Sequence, residues 1–366
     1  MLVFFVTQGE STTLAKFFGT WAPELGARVR LVYYDDLARL DELPGAGCYV
    51  FTDLERLTQT GLQLMAELAD TLAETGADVI NHPGRVLRRY DLLRVLHERG
   101  VNPFQIYRAV PLPAEARFPV FLRSEHEHRV ITSLLWSQQA IERELIRAYA
   151  HGLDLTALLL VEYQDVSDEE GMFHRYISHV IGDAIIPGYL AFGTGWVVKG
   201  GPFLEGRRLA EQRDSVVSRA REPLLREVTQ LAGVRYGRFD YAVADGRVFI
   251  WELNTNPTLL LTRERHRPEI MDDIQPLADR LTAAFEQLAG DPDEQRAPVA
   301  LRLPGNTALV ARRPRLRWPK PVRGVLRLLA PLRFRVLWLT RRRAILAAAT
   351  RRAAALGGEG GSDQTV

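Results

Sequence analysis

Cysteine is nearly absent from this chain of 366 residues. The single one, Cys48, excludes an intrachain disulfide and suggests a reducing compartment. It lies in the apolar run GCYVF, where a small core residue is expected rather than a nucleophile. Long apolar runs are missing too: no window approaches about eighteen uncharged apolar residues, which argues against a spanning helix. The first residues, MLVFFVTQGE, have no basic lead and turn polar after a short apolar run, so a first strand is expected there rather than a secretory signal. No internal repeat is apparent. Hydrophobic content of 46% and charged content of 25% are ordinary for a folded soluble protein, and the length suffices for two or three structural units.

Acids are missing from one long stretch. Between Leu301 and Leu356 there are fifteen Arg or Lys and no Asp or Glu, whereas the residues ahead of it carry 32 basic against 43 acidic. The net charge of +2 therefore hides an acidic body with a basic arm. The boundary falls around Gly290 to Pro304, where the last helical pattern, MDDIQPLADRLTAAFEQLA, gives out. Within the arm, Arg323 and Arg327 are spaced i, i+4, Pro331 breaks the pattern, and Arg341, Arg342 and Arg343 form a block among Leu, Val, Phe and Trp. Such a segment suits an anionic membrane surface or the acidic body itself. Nucleic acid is the less favoured partner, because apolar residues outnumber hydrogen-bonding ones. Gly357 to Val366 is a Gly/Ser-containing end.

The first hundred residues alternate between strand-like and helical patterns. LVFFVTQ, RVRLVYYDD, GCYVFTD and ADVINHP read as strands, and TLAKFFGTWAPELG and ERLTQTGLQLMAELADTLAETG as helices. That alternation argues for a small α/β domain with a mainly parallel sheet. Further on, RYGRFDYAVA and RVFIWELN read as a hairpin turning at Asp245-Gly246. Strand alternation then puts Arg238 and Asp240 on one face, with Glu252 and Asn254, while Phe239, Tyr241, Trp251 and Leu253 enter apolar packing. Three oxygen-bearing side chains converge. Hard oxygen donors of this kind, completed by substrate phosphates, are what Mg²⁺ takes.

The pattern F-D-x followed by E-L-N-T-N-P, with Asp240 and Glu252 on adjacent strands, resembles the last metal-binding segment of the ATP-grasp superfamily and is most similar to its RimK-like members. The resemblance implies an α/β (α+β) fold: a small α/β domain over 1–82, a two-lobed ATP-grasp domain over 83–290 with a hinge near 161–165, and the arm over 291–366. It implies Asp240, Glu252 and Asn254 as metal ligands, ATP and Mg²⁺ (or Mn²⁺) as cofactors, and a cytoplasmic ligase. Its substrates would be an unidentified carboxylate, activated as an acyl phosphate, and an amine or similar nucleophile. The alternative is an ATP-binding module with little ligase activity, localised by its arm, including to the inner face of a membrane.

Further roles come from the same resemblance. Arg123, on Phe118-Pro119-Val120-Phe121-Leu122-Arg123, stands where the family has a phosphate-binding Lys; a guanidinium is a planar fork, so the geometry would differ. The segment Ser124 to Arg129 replaces a glycine-rich covering loop and contains no glycine. Its His126/His128 pair shares a face but has no third metal ligand in view. Glu162 and Tyr163, ending the buried strand from Leu158, are the candidates for reading adenine through their backbone. Asp165 would reach the ribose or simply form a turn. Arg175 would reach the nucleotide or the acyl group, with His174 and Tyr176 on the opposite face. Trp196-Val197-Val198-Lys199 reads as a strand ending in a cation, and Lys199 would meet phosphate or substrate carboxylate, or remain a solvated lysine. Arg238 would stabilise charge developing on a tetrahedral intermediate, or serve as a structural partner for Asp240.

Overall fold

The computed structural model of the chain describes residues 1–126, 130–199, 206–266, 268–291, 293–294, 296–301, 331 and 333–358. Contacts divide it into two compact units: Met1–Leu92 with Asp165–Arg312, and Leu93–Gln164 with Arg313–Val366.

An unbroken apolar run calls for a strand covered on both faces. In the first unit β1 (Leu2–Val6) is buried at every position. It pairs in parallel with β2 (Val29–Tyr33) and β4 (Cys48–Phe51), and β4 with β5 (Asp78–Ile80), in the order β2-β1-β4-β5. Short β3 (Glu42–Leu43) pairs instead with β13 (Val299–Ala300). Strand alternation separates the faces of β1. Leu2, Phe4 and Val6 enter one core with Phe17 and Phe18 of α1 (Thr12–Thr20). Val3 and Phe5 enter another with Met65, Leu68 and Leu72 of α3 (Gln59–Glu74). The run expected as one helix after β1 is two, because Pro23 opens a separate α2 (Pro23–Gly26). Cys48 is a core residue, and burial above all pushes its thiol up to about 12.

The same unit holds an antiparallel sheet of β9 (Phe173–Ile181), β10 (Ala184–Gly193), β11 (Tyr236–Ala244) and β12 (Arg247–Asn254), in the order β10-β9-β11-β12. Two features join it to the parallel sheet. Tyr236 and the apolar side of α8 (Met271–Ala289) share one core with Phe4. At the end of β5, Asn81 donates from Nδ2 to the carbonyls of Tyr236 at 2.7 Å and Phe51 at 3.2 Å, and its Oδ1 accepts from the backbone of Arg235 at 2.9 Å and Tyr236 at 3.1 Å. The expected boundaries at 82 and 290 therefore divide the chain elsewhere than these units do. A strand expected at Trp196–Lys199 does not form: β10 ends at Gly193, and residues 194–199 are bends and coil. Gly193 and Gly195 outweigh the β-preference of Trp-Val-Val.

The second unit has a sheet of β6 (Ile106–Arg108), β7 (Val120–Ser124) and β8 (Leu158–Glu162), in the order β6-β8-β7, with α5 (Gln138–Ala150) in its core. α4 (Arg89–Glu98) runs across the boundary between the two units. The helical residues 333–340 and the C-terminal helix α9 (Arg342–Gly358) pack here. Ile345 is buried with Ile141 and Leu145, and Phe334, Leu337 and Trp338 lie against them. Arg147 caps the Phe334 ring at 5.3 Å, and Arg352 pairs with Asp154 at 3.2 Å. Of the readings open for the arm, docking on the body is the one that residues 333–358 display. Arg323 and Arg327 lie outside the described residues. No described helix is long and apolar enough to cross a membrane.

Candidate functional site

The hairpin of β11 and β12 turns at Asp245 and Gly246, both at positive φ (50° and 72°), as a two-residue turn requires. Its register sets Asp240 opposite Glu252 and Arg238 opposite Asn254. On the other side of β11, β9 sets His179 opposite Arg238 and Ile177 opposite Asp240. Register partners share a face. Arg175, Arg238, His179, Asp240, Glu252 and Asn254 are therefore gathered on one face of the sheet.

One expectation fails in detail. The register slips between Asp240 and Tyr241, so Tyr241 pairs with Ile250 and Trp251 is the extra residue of a bulge. Trp251 does not join Tyr241 and Leu253 in apolar packing; it is half-buried and stacks on Phe249 at 6.1 Å. The slip is what brings Glu252 level with Asp240.

Both Asp240 oxygens are engaged by guanidinium. Arg238 donates from Nε to Oδ1 at 2.7 Å and from Nη2 to Oδ2 at 3.0 Å, and Arg175 Nη1 reaches Oδ2 at 3.2 Å. Arg238 Nη1 donates to the carbonyl of Thr258 at 3.1 Å. Burial disfavours the Arg238 charge, but Asp240 and, further off, Glu252 hold its pKa above the ordinary arginine value. Glu252 Oε2 accepts from Arg89 Nη2 at 3.0 Å, and that arginine side chain is 4% exposed. Asn254 Oδ1 accepts from the backbone of Asn256 at 2.8 Å. His179 is fully buried, and burial first, then Arg238, lowers its pKa to about 3, so the ring is neutral.

Among the described residues, the guanidinium groups of Arg89, Arg175 and Arg238 thus pair with the carboxylates of Glu252 and Asp240. The donor set suits Mg²⁺: two carboxylates and one amide oxygen, on adjacent strands and one face. Among the described residues no group of three or more His, Cys, Asp and Glu is placed to hold a metal. The rest of a Mg²⁺ shell would then come from phosphate or water, which is how this ion is usually held. Guanidinium groups beside the carboxylates suit an anion brought in with it.

Beyond Asn254 the chain is pinned to the ends of β1 and β4. Asn256 Nδ2 donates to Asp53 Oδ1 at 3.0 Å, and Thr255 Oγ1 to Glu55 Oε2 at 3.1 Å. The Asp53 carboxyl is pushed up to about 6, by burial first and against the hydrogen bonds from Thr7 and Asn256.

The remaining predicted residues lie apart from this face or in the second unit. Arg123 is buried on β7 rather than solvent-facing. Glu162 is almost fully buried; although burial opposes its charge, hydrogen bonds from Arg117, Gln105 and Tyr107 hold its pKa below the usual glutamate value. The backbone N–H of Glu162 donates to Gln105 at 3.1 Å and that of Tyr163 to Pro119 at 2.9 Å. Asp165 Oδ1 accepts from the backbone and hydroxyl of Ser167, at 3.0 and 2.7 Å, in a turn. It lines a cavity of ≈ 660 Å³ with His174, Tyr176 and Val243, on the sheet face opposite Asp240. Tyr176 stacks there on Tyr241, and His174 pairs with Asp168 at 3.0 Å. Lys199 is exposed. His126 lies near Glu125 at 3.8 Å, while His128 is outside the described residues.

Sequence reasoning missed Arg89 and His179. Arg89 sits 163 positions from Glu252, on a helix with no local signal of that contact. His179 lies within the apolar run ISHVIG, where alternation with Arg175 and Ile177 would have placed it on the site face.

No family model matches the chain, and no curated protein does. Among solved structures, the D-alanine–D-alanine ligase of Bacillus anthracis complexed with ATP is similar at a TM-score of 0.43 and 12% identity, over 78% of this chain and 98% of that one. A RimK-domain ATP-grasp protein of Sphaerobacter thermophilus is similar at 0.42 and 15%, over 78% and 99%. The ATP-grasp ligase PsnB, complexed with a phosphomimetic variant of a minimal precursor, Mg and ADP, is similar at 0.44 and 14%, over 78% and 97%.

Proposed function

We propose that the chain is an ATP- and Mg²⁺-dependent ligase that activates a carboxylate as an acyl phosphate for capture by an amine or similar nucleophile. The observation that supports this reading is the shared face of Asp240, Glu252 and Asn254, with the guanidinium groups of Arg89, Arg175 and Arg238 beside the two carboxylates. A metal held by these three oxygens would draw charge off the phosphoryl group in transfer. Arg175, poised at Asp240, orients the phosphate chain, and Arg89 keeps the Glu252 carboxylate aimed into the face. Arg238, released from Asp240, turns its fork to the oxygens of the reacting acyl group. Four further roles are proposed from sequence: Arg123 and Lys199 as phosphate cations, the backbone of Glu162 and Tyr163 as readers of adenine, and Asp165 as a ribose contact. Because the N–H groups of Glu162 and Tyr163 are engaged, their carbonyl oxygens would do the reading.

A cytoplasmic setting belongs to this proposal. Peripheral attachment to an anionic membrane rests, for the described residues, on the cations of residues 333–358 and on exposed Leu339 and Val336, since Phe334, Leu337 and Trp338 pack on α5.

The test is ADP release from Mg·ATP with panels of carboxylates and amines. Release that needs both Mg²⁺ and a carboxylate is expected. Binding of Mg·ATP with no carboxylate-dependent release would favour a nucleotide-binding module instead.

A further inference from the structure

His179 has no place in the chemistry above, yet it stands inside the cluster. Its side chain is 0% exposed, and neither ring nitrogen has a hydrogen-bond partner. Buried polar groups are nearly always paired, so an orphaned imidazole asks for an explanation. The flanking strands offer few partners. On one side its register neighbour is Ile186; on the other it is Arg238. Gly188 lies against the ring, where a Cβ would stand 3.4 Å from Nε2. Among these neighbours the hydrogen-bonding side chain is that of Arg238, and three of its five N–H groups already go to Asp240 and Thr258, which fix the orientation of its fork.

A neutral imidazole keeps one nitrogen with a free lone pair, which can only accept. A guanidinium can only donate. The two are matched, but in this arrangement Asp240 holds the guanidinium.

We propose that His179 is the second seat of Arg238: when Asp240 gives its oxygens to a metal–nucleotide, an Arg238 N–H turns to the imidazole lone pair. This rests on the reading of Asp240 as a metal ligand. His179 then acts as a positioning residue. It lowers the cost of taking Asp240 from its bidentate partner, and it holds Arg238 beside the reacting groups instead of leaving a buried cation unpaired. Orphaned without ligand and satisfied with it, the imidazole biases the chain toward the loaded arrangement.

Two measurements test this. The first is ¹⁵N NMR of histidine-labelled full-length chain, with Mg²⁺ and ADP added. The acceptor nitrogen of His179 should move upfield as it gains a hydrogen bond; an unmoved signal at saturation overturns the proposal. The second compares His179→Leu with His179→Gln, the latter restoring an acceptor. Leu should weaken Mg·ADP binding about tenfold, the effect of losing a hydrogen bond to a charged group, while the thermal midpoint of the nucleotide-free chain stays level or rises. Gln should recover most of the affinity. Wild-type affinity in the Leu variant, or affinity and thermal midpoint falling together in both variants, would make His179 a purely structural residue. Asp240→Asn separates the two claims: if it binds Mg·ADP as wild type does, the metal-site reading falls, whatever His179 does.

Discussion

Asp53 sets a stability experiment whose sign and size come from its surroundings. It stands two residues beyond β4 in a left-handed conformation, φ 55°, and is 3% exposed. Its carboxylate accepts from the Thr7 backbone at 2.9 Å and from Asn256 at 3.0 Å, yet burial outweighs those bonds and moves the carboxyl from 3.8 to about 6. Between those values the folded chain binds more protons at this group than the unfolded chain does. Stability from Asp53 is therefore full below about pH 4, falls as pH rises to about 6, and is level above that. A gap of about two pH units corresponds to ~3 kcal/mol. Asp53→Asn keeps the shape and removes the ionisation. Urea midpoints of both chains at about pH 4, 5, 6 and 7 give a difference from which other groups cancel, Glu162 and Asp168 among them, whose lowered pKa values tilt the other way. Relative to the variant, the wild type should lose ~3 kcal/mol from pH 4 to pH 7. A difference flat to within about 0.5 kcal/mol would refute the idea of a buried carboxylate ionised at a cost.

Other expectations concern the joints of the fold and the second unit. Asn81→Ala removes four hydrogen bonds, three of them between the sheets, and should cost ~3 kcal/mol or more by denaturant titration; a loss under about 1 kcal/mol would mean that the joint lies in the apolar core alone. Arg123→Ala should weaken Mg·ATP binding about tenfold, with Lys retaining most of it, and unchanged affinity in Ala would make Arg123 a structural residue of β7. Ile345→Ala should lower stability by ~2–4 kcal/mol because α9 is docked, whereas an unaltered thermal transition would put that helix in solvent.

The parts of the fold legible in the sequence are those whose determinants are local. Asp245-Gly246 and the alternation around it announce the hairpin, and the unbroken LVFFV announces a buried parallel strand. Apolar residues at helical spacing announce α3, although it starts at Gln59 behind the Thr58 cap and not at Glu55 as the pattern leads one to expect. What stayed hidden depends on tertiary register. A bulge adds one residue without changing composition, so Trp251 reads as an ordinary alternating position until its partner strand is in place. Arg89 meets Glu252 only because Asn81 and the core around Phe285 bring the two sheets into one unit. The strand expected at Trp196–Lys199 failed for the opposite reason, since a convincing local β-pattern was overruled by glycines on its N-terminal side. Of the site, the oxygen donors could be read; the arginines that hold two of them could be read only in part.

The central claim is that a nucleotide is bound here through a metal held by Asp240, Glu252 and Asn254. Calorimetric titration of ATP into the chain, with and without Mg²⁺, in wild type and in Glu252→Gln, tests it most directly. Gln keeps a partner for Arg89 and removes one charge. The account predicts that Mg²⁺ tightens ATP binding by about tenfold or more in the wild type and that this gain vanishes in the variant, with Mg²⁺-free affinity kept. An equal gain from Mg²⁺ in both chains would contradict it.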